Sequence, residues 1–218
     1  IAVGVPALPA NATNAVALWP GSFAGAIGFL NQIETTKHQL RVLILPTIVG
    51  AIAGSLLLVV TDAGTFNFLV PFLVLFATVL LALQPRVQAW AAKSESGRHR
   101  WLGVSLQFLV AVYGGYFGAG MGIMMLAVMA LFVEGDLHQM NAIKNWLGLV
   151  INLSASIVLM VKGLVWFLPG LALMAGAMVG GYAGARLSQR VPSDRLRNWI
   201  VGYGLVMTVW FFYRWWAS

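Results

Sequence analysis

The sequence predicts an all-α polytopic membrane protein, an inverted two-fold repeat with glycine-broken helical hairpins. Three observations predict it: the composition, a succession of long apolar segments, and a signature that recurs at a constant offset. Of the 218 residues, 60% are hydrophobic and only 9% are charged, whereas a soluble domain carries about 25% charged residues. We therefore expect residues 1–218 to form a single transmembrane domain.

Apolar segments follow one another along the chain, and several reach the roughly 20 residues that a helix needs to span a bilayer. They cover residues 40–60, 66–84, 101–117, 121–133, 146–161, 164–185 and 198–213. Most tryptophans stand near segment ends, where their rings anchor helices at the membrane surface. No cysteine is present, which excludes disulfides and thiol chemistry.

The cations lie in the short loops between these segments, and the positive-inside rule places such loops in the cytoplasm. They cluster around residues 37–41, 85–100 and 186–197. Loop 61–65 has no cation and is expected outside, as is loop 162–165 with its single lysine. Because the net charge of +7 comes from these loops, without a basic run interleaved with aromatics, no nucleic-acid partner is expected.

Residues 101–134 must begin and end on the cytoplasmic side to join these loops. Within them, positions 114–122 hold five glycines, which weaken a helix and let the backbone turn. We therefore predict a helical hairpin whose tip, Gly118–Gly122, reaches toward the middle of the membrane.

The internal repeat aligns each position with the position 130 residues later, for example 11 with 141, and the alignment has no gap. Val49–Gly54 matches Val179–Gly184 in its first two and last two residues, and Asn11-Ala12 matches Asn141-Ala142. Repeat 1 covers about residues 1–85 and repeat 2 about residues 101–216. The charges orient the two repeats in opposite directions across the membrane, an arrangement typical of transporters.

In the same register, the counterpart of hairpin 101–134 falls before residue 5. We therefore expect one hairpin to be missing from the amino end of the sequence.

Polar residues form two groups at positions that the repeat matches: one group is Asn11, Thr13 and Asn14, and the other is Asn141, Lys144 and Asn145. Asn141, Lys144 and Asn145 share one helical face, and an ammonium with amide groups suits the oxygens of an anion. The glycine-rich tip is a third candidate, because helix amino ends attract anions. The predicted substrate-binding residues are Asn11, Thr13, Asn14, Gly118, Gly120, Met121, Gly122, Asn141, Lys144 and Asn145.

Each candidate has a structural alternative. Lys144 can extend to the cytoplasmic interface on its long stem, and Asn11 and Asn14 can cap a helix or bond a neighbouring one. The tip glycines can serve close packing, which is the better explanation for Gly176 and for the glycine pairs 50/54 and 180/184.

The acids all fall at loops or segment ends, so no carboxylate is available within the membrane as a proton relay. Glu134, Asp136 and His138 lie close together, but a solvated loop explains them better than a metal site. No hydrolase, nucleotide-binding or metalloprotease motif occurs. We therefore expect no enzymatic activity, no metal and no cofactor.

The sequence resembles the TauE/SafE family of sulfite and organosulfonate exporters over nearly its whole length. The resemblance rests on three stretches: residues 9–15 with Pro20-Gly21-Ser22, the glycine-rich residues 114–122, and residues 141–145 followed by 180–186. It implies a multi-pass protein of a bacterial inner membrane that exports a small sulfur-containing anion. Met121 and Met124 depart from the small residues common there in the family.

Two functions are carried forward. The first is a secondary transporter that exports small anions, with the lipid bilayer as its surroundings and a homodimer as one compatible assembly. The second is a non-transporting scaffold or assembly subunit of a membrane complex, whose polar faces bind a partner helix.

Overall fold

The computed structural model describes residues 6–27, 33–91, 93, 100–132, 137–188 and 193–216. Within them every regular element is an α-helix, as the sequence predicts. The helices are α1 (Ala7–Ile27), α2 (Ile33–Val60), α3 (Ala63–Ala91), α4 (Arg100–Tyr116), α5 (Met121–Phe132), α6 (Leu137–Val161), α7 (Phe167–Ser188) and α8 (Ser193–Trp216).

Three stretches of these helices are long and apolar enough to cross a membrane: Lys37–Val60, Ala63–Ala91 and Gln139–Val161. They lie in α2, α3 and α6, and include the predicted segments 40–60, 66–84 and 146–161. Helix α1 is an element that the apolar pattern did not predict, because Asn11, Thr13 and Asn14 interrupt its hydrophobic run.

The predicted break in segment 101–134 is present at the glycines. Helix α4 ends at Tyr116, α5 begins at Met121, and the two helices pack against each other. Gly118 and Gly120 have φ angles of 81° and 77°, a left-handed conformation that only glycine adopts without cost. These two residues therefore turn the chain back on itself and make the hairpin.

Small residues let α2 and α4 approach to backbone contact. A Cβ atom at Gly54 would clash with the carbonyl oxygen of Val112, and one at Gly50 would lie 2.6 Å from that of Phe108. From the other side, a Cβ at Gly115 would clash with the carbonyl oxygen of Ala51. The packing role predicted for Gly50 and Gly54 is confirmed.

Gly176 does not follow that explanation, because no described atom lies within 4 Å of a Cβ placed there. It lies on α7 beside a cavity rather than against a helix. The surroundings of Gly180 and Gly184 lie outside the described side chains, as do Glu134, Asp136 and His138. Among the described residues, no group of acids and histidines is placed to hold a metal.

Helices at matching positions of the two repeats lie against each other. Helix α1 packs on α6, and α3 packs on α8. Ser22 and Asn152 are 130 positions apart and are joined directly, since the Asn152 Nδ2 donates to Ser22 Oγ at 2.7 Å. The matching contacts α2 with α6 and α7 with α1 also occur.

Two apolar clusters fill the interior. One is formed mainly by α4, α5 and α6, with Met125, Met129, Ile143 and Leu147 at most 1% exposed. The other joins α1 to the far ends of α2 and α6 and to the start of α3, around Phe66. The hairpin turn lies between them, since Met121 packs on the first cluster, and Tyr116 and Phe117 belong to or pack on the second.

Candidate anion site at the hairpin tip

The hairpin tip, Gly118–Gly122, is held in place from several sides. The Tyr113 hydroxyl donates to the carbonyl oxygen of Ala119 at 2.7 Å. A Cβ at Gly120 would lie 3.3 Å from Leu80 Cδ1 and 3.5 Å from Ala77 Cα, so the turn lies against α3. On the other side, Met121 Sδ packs close to Gly114.

Asn11 fixes the end of α4 beside the tip. Its Nδ2 donates to the carbonyl oxygen of Tyr116 at 3.0 Å. The last four carbonyls of a helix have no partner within the helix, so this bond from α1 satisfies one of them. The predicted alternative for Asn11, an interhelical hydrogen bond, describes this contact.

Lys144 lies on the α6 side of the tip. A Cβ at Gly122 would be 3.7 Å from Lys144 Cδ, so the lysine stem runs against the first turn of α5. The Lys144 Nζ donates to Asn141 Oδ1 at 2.7 Å, and the lysine is partly buried. The structure thus brings together three of the predicted site residues: Asn141, Lys144 and Gly122.

Asn145 adds a backbone contact to this group. Its Nδ2 donates to the main-chain oxygen of Asn141 at 2.9 Å. The bond stays within α6 and uses one of the two N–H groups of the Asn145 amide, so the second N–H is the donor left for an anion or for water.

The charge on Lys144 is not matched by any carboxylate whose side chain the structure describes. Among the described side chains the one carboxylate is that of Asp62, just before α3. Its Oδ1 accepts a hydrogen bond from the Thr65 main-chain N–H at 2.9 Å, and its Oδ2 accepts one from the Thr65 hydroxyl at 2.6 Å. These bonds lower the pKa of Asp62 below its ordinary value. Asp62 therefore caps a helix and is no partner for Lys144.

Thr13 and Asn14 are placed apart from the tip. The Thr13 hydroxyl accepts from the main-chain N–H of Trp166 at 3.0 Å, just before α7. Asn14 is exposed and lines a separate cavity of about 470 Å³ between α1 and α7, with Pro169, Leu173 and Gly176 among its walls. None of the residues that line that cavity belongs to the tip or to α6.

Sequence reasoning missed Tyr113, which holds the tip, and the Ser22–Asn152 pair, which joins the two repeats. Tyr113 stands one residue before the glycine run, and its ring meets Phe76 edge-on at 5.6 Å between centroids. The pair had a signal in the sequence, because the two residues are separated by the repeat offset itself. That signal escapes a search for identical residues, since a serine faces an asparagine.

The arrangement at the tip can bind an anion. An ammonium supplies three N–H donors, of which one is directed at Asn141. The first turn of α5 adds the positive end of a helix dipole beside the lysine stem. The main-chain N–H groups of Met121, Ile123 and Met124 are bonded to the carbonyl oxygens of Gly118 and Gly120, so an oxyanion at this place would meet mainly the partly desolvated cation.

Comparison with known proteins gives a consistent result. A family model described as "Sulfite exporter TauE/SafE" matches residues 1–211. A "Probable membrane transporter protein" of Haemophilus influenzae is 22% identical over 205 residues, which cover 94% of this chain and 80% of the relative. No solved structure matches the chain.

Proposed function

The chain belongs to the sulfite exporter TauE/SafE family, a family of membrane transporters, and we propose that it exports small anions, sulfite or organosulfonates, across the bacterial inner membrane. The observation that carries the choice of an anion is the position of Lys144. It is a partly buried cation on a membrane helix, set against the first turn of a helix that begins at a glycine turn.

A lysine at the centre of a membrane helix costs about 2.5–3.5 kcal/mol on insertion scales, and the cost falls toward the helix ends. A bound anion offsets part of that cost, because opposite charges attract strongly where water is scarce. In the proposed complex, Lys144 contributes the charge, and Asn141 and Asn145 orient the oxygens. Gly118, Gly120 and Gly122 let the backbone of the tip approach the ligand without side chains in the way.

We propose further that the two repeats are inverted and that transport alternates between two related conformations. The packing of α1 on α6 and of α3 on α8, and the Ser22–Asn152 bond, support this arrangement. Residues that match across a two-fold axis touch each other only when they lie close to that axis. The tip, held by α1, α3 and α6, would then move relative to Lys144 as the site opens to either side.

Export needs no coupling ion under this proposal. The membrane potential is negative inside, and a singly charged anion gains about 2.3 kcal/mol per 100 mV on leaving the cell. A uniporter of this kind has to provide only a path and a transient binding site.

The test is anion flux from proteoliposomes containing the parent protein or Lys144→Met. Methionine keeps the helix and most of the stem packing but removes the charge. We expect the variant to fold and to lose most sulfite flux and affinity. The matched control is Lys162→Met, which changes an exposed lysine just after α6 and should leave flux unchanged. Unchanged flux in Lys144→Met would mean that the lysine extends to the cytoplasmic interface of the membrane and does not bind the transported anion.

The alternative, a scaffold subunit, predicts other results. A scaffold would co-purify with one partner, would show no stabilisation by sulfite or sulfonates, and would give no flux. The separation of Asn14 from the tip is the observation in its favour, because that exposed amide in a groove between α1 and α7 is placed to bond a partner helix.

A further inference from the structure

A groove of about 670 Å³ runs along one face of the first half of α8. Its lining residues are spaced so that they share one side of the helix. They are Arg195, Asn198, Trp199, Gly202, Tyr203 and Val206.

This face is directed away from the part of the protein that the structure describes. Helix α8 packs on α3 with other residues: Gly204 lies against Thr78, and Thr208 is 4% exposed. In contrast, Trp199 is 79% exposed and Tyr203 is 66% exposed. A Cβ at Gly202 would meet no described atom within 4 Å. The groove is therefore open to whatever surrounds the protein in the membrane.

The groove changes character along its length. It begins with an exposed guanidinium, Arg195, and an exposed amide, Asn198, near the start of α8, where the positive loop residues predict the cytoplasmic surface. Trp199 follows, an aromatic ring of the kind that occupies the headgroup level of a bilayer. Beyond it the groove continues over Gly202 and Val206 into the apolar part of the helix.

We propose that this groove binds an anionic phospholipid of the cytoplasmic leaflet. The lipid phosphate would lie on Arg195 and Asn198, since guanidinium donors match phosphate oxygens in charge and geometry. One acyl chain would lie over Gly202, where the missing side chain makes room, and along Val206. Basic side chains at the cytoplasmic end of membrane helices are placed for anionic headgroups.

The charge at the mouth of the groove favours a lipid over a second copy of the chain. Two copies inserted in the same direction could pair their α8 faces only side by side and parallel. That pairing would set Arg195 against Arg195 and repel at the headgroup level, whereas a phosphate neutralises the same charge.

The experiment measures lipid binding to the purified protein by native mass spectrometry, with phosphatidylglycerol and phosphatidylcholine of identical acyl chains. The parent should bind phosphatidylglycerol in preference, and Arg195→Gln should weaken this binding about fivefold. Gly202→Leu, which keeps the charge but fills the groove, should weaken it as well. The matched control is Arg86→Gln, an exposed arginine of α3 that lies outside the groove and should bind as the parent does.

Thermal unfolding in phosphatidylcholine establishes that each variant is folded, so a loss of lipid binding is not a loss of structure. Equal binding of the two lipids, or unchanged binding in Arg195→Gln, would overturn the proposal. So would a protein dimer that Gly202→Leu dissociates without any effect on lipid. The result does not depend on which substrate the protein carries.

Discussion

The close packing of α2 on α4 makes Gly54→Ala a sharp test of the fold that holds the hairpin. The added methyl group would clash with the Val112 carbonyl oxygen, and would lie 2.8 Å from the Val112 carbonyl carbon and 3.0 Å from the Tyr116 amide nitrogen. All three are backbone atoms, which cannot rotate away as a side chain can. The two helices must therefore separate, and Asn11 must follow the end of α4 or lose its bond.

Overpacking of this kind costs about 1–3 kcal/mol, and the rigid neighbours place Gly54 at the upper end. Alanine recovers about 1 kcal/mol because it is the better helix former. The net loss is about 2 kcal/mol, a fall in melting temperature of about 4–8 °C for a chain of this size.

The assay is thermal unfolding in detergent, followed by intrinsic fluorescence, with Gly176→Ala as the control. Gly176 has open space around it, so its alanine variant should be as stable as the parent or slightly more so. Equal melting temperatures for Gly54→Ala and the parent would refute the backbone contact between α2 and α4.

Three further outcomes are expected. Tyr113→Phe removes the hydroxyl bond to the tip and should lower the melting temperature by only about 1–2 °C while slowing flux much more; equal flux would show that this bond does not position the tip. Asp62→Ala should destabilise the protein at neutral pH, and the difference from the parent should vanish on acidification. The Thr65 bonds hold the Asp62 pKa below 3.8, so its contribution is present above that pH and lost as pH falls through the folded value. A difference that does not shrink at all on acidification would show another cause. Finally, Asn14→Lys should not restore flux to Lys144→Asn, because residue 14 lies in a separate cavity; rescue would mean that both cavities belong to one path.

The helices and the hairpin break could be predicted because they depend on local composition. Apolar runs of about 20 residues give α2 and α3, and the glycines at 118 and 120 give the turn. Helix α1 escaped the apolar pattern because its polar residues are satisfied by tertiary partners, as Asn11 is by the end of α4. Tyr116 lies 105 positions from Asn11 in the chain, and no local pattern reveals such a contact.

The residues of the candidate site could likewise be predicted from the sequence only in part. Asn141, Lys144 and Asn145 could be grouped in advance, because helical spacing alone brings them to one face. The approach of Lys144 to Gly122 depends on how α5 crosses α6, which spacing does not determine. The assignment of Asn11 and Asn14 to one binding site with Lys144 stays a prediction: the contacts place Asn11 at the Tyr116 side of the tip and Asn14 beside α7.

In the proposed complex, a single lysine supplies the positive charge for the anion. At the repeat offset, Lys144 corresponds to Asn14, so α1 and α6 differ in charge at this position. Because Asn14 lies in a separate cavity between α1 and α7, Lys144 is the one of these two residues that can contribute its charge at the tip. One lysine, satisfied at rest by the Asn141 oxygen at 2.7 Å, can exchange that partner for an anion and take it back when the anion leaves. Under the proposal, a site that exchanges its own hydrogen bond in this way would bind the anion transiently, as transport requires.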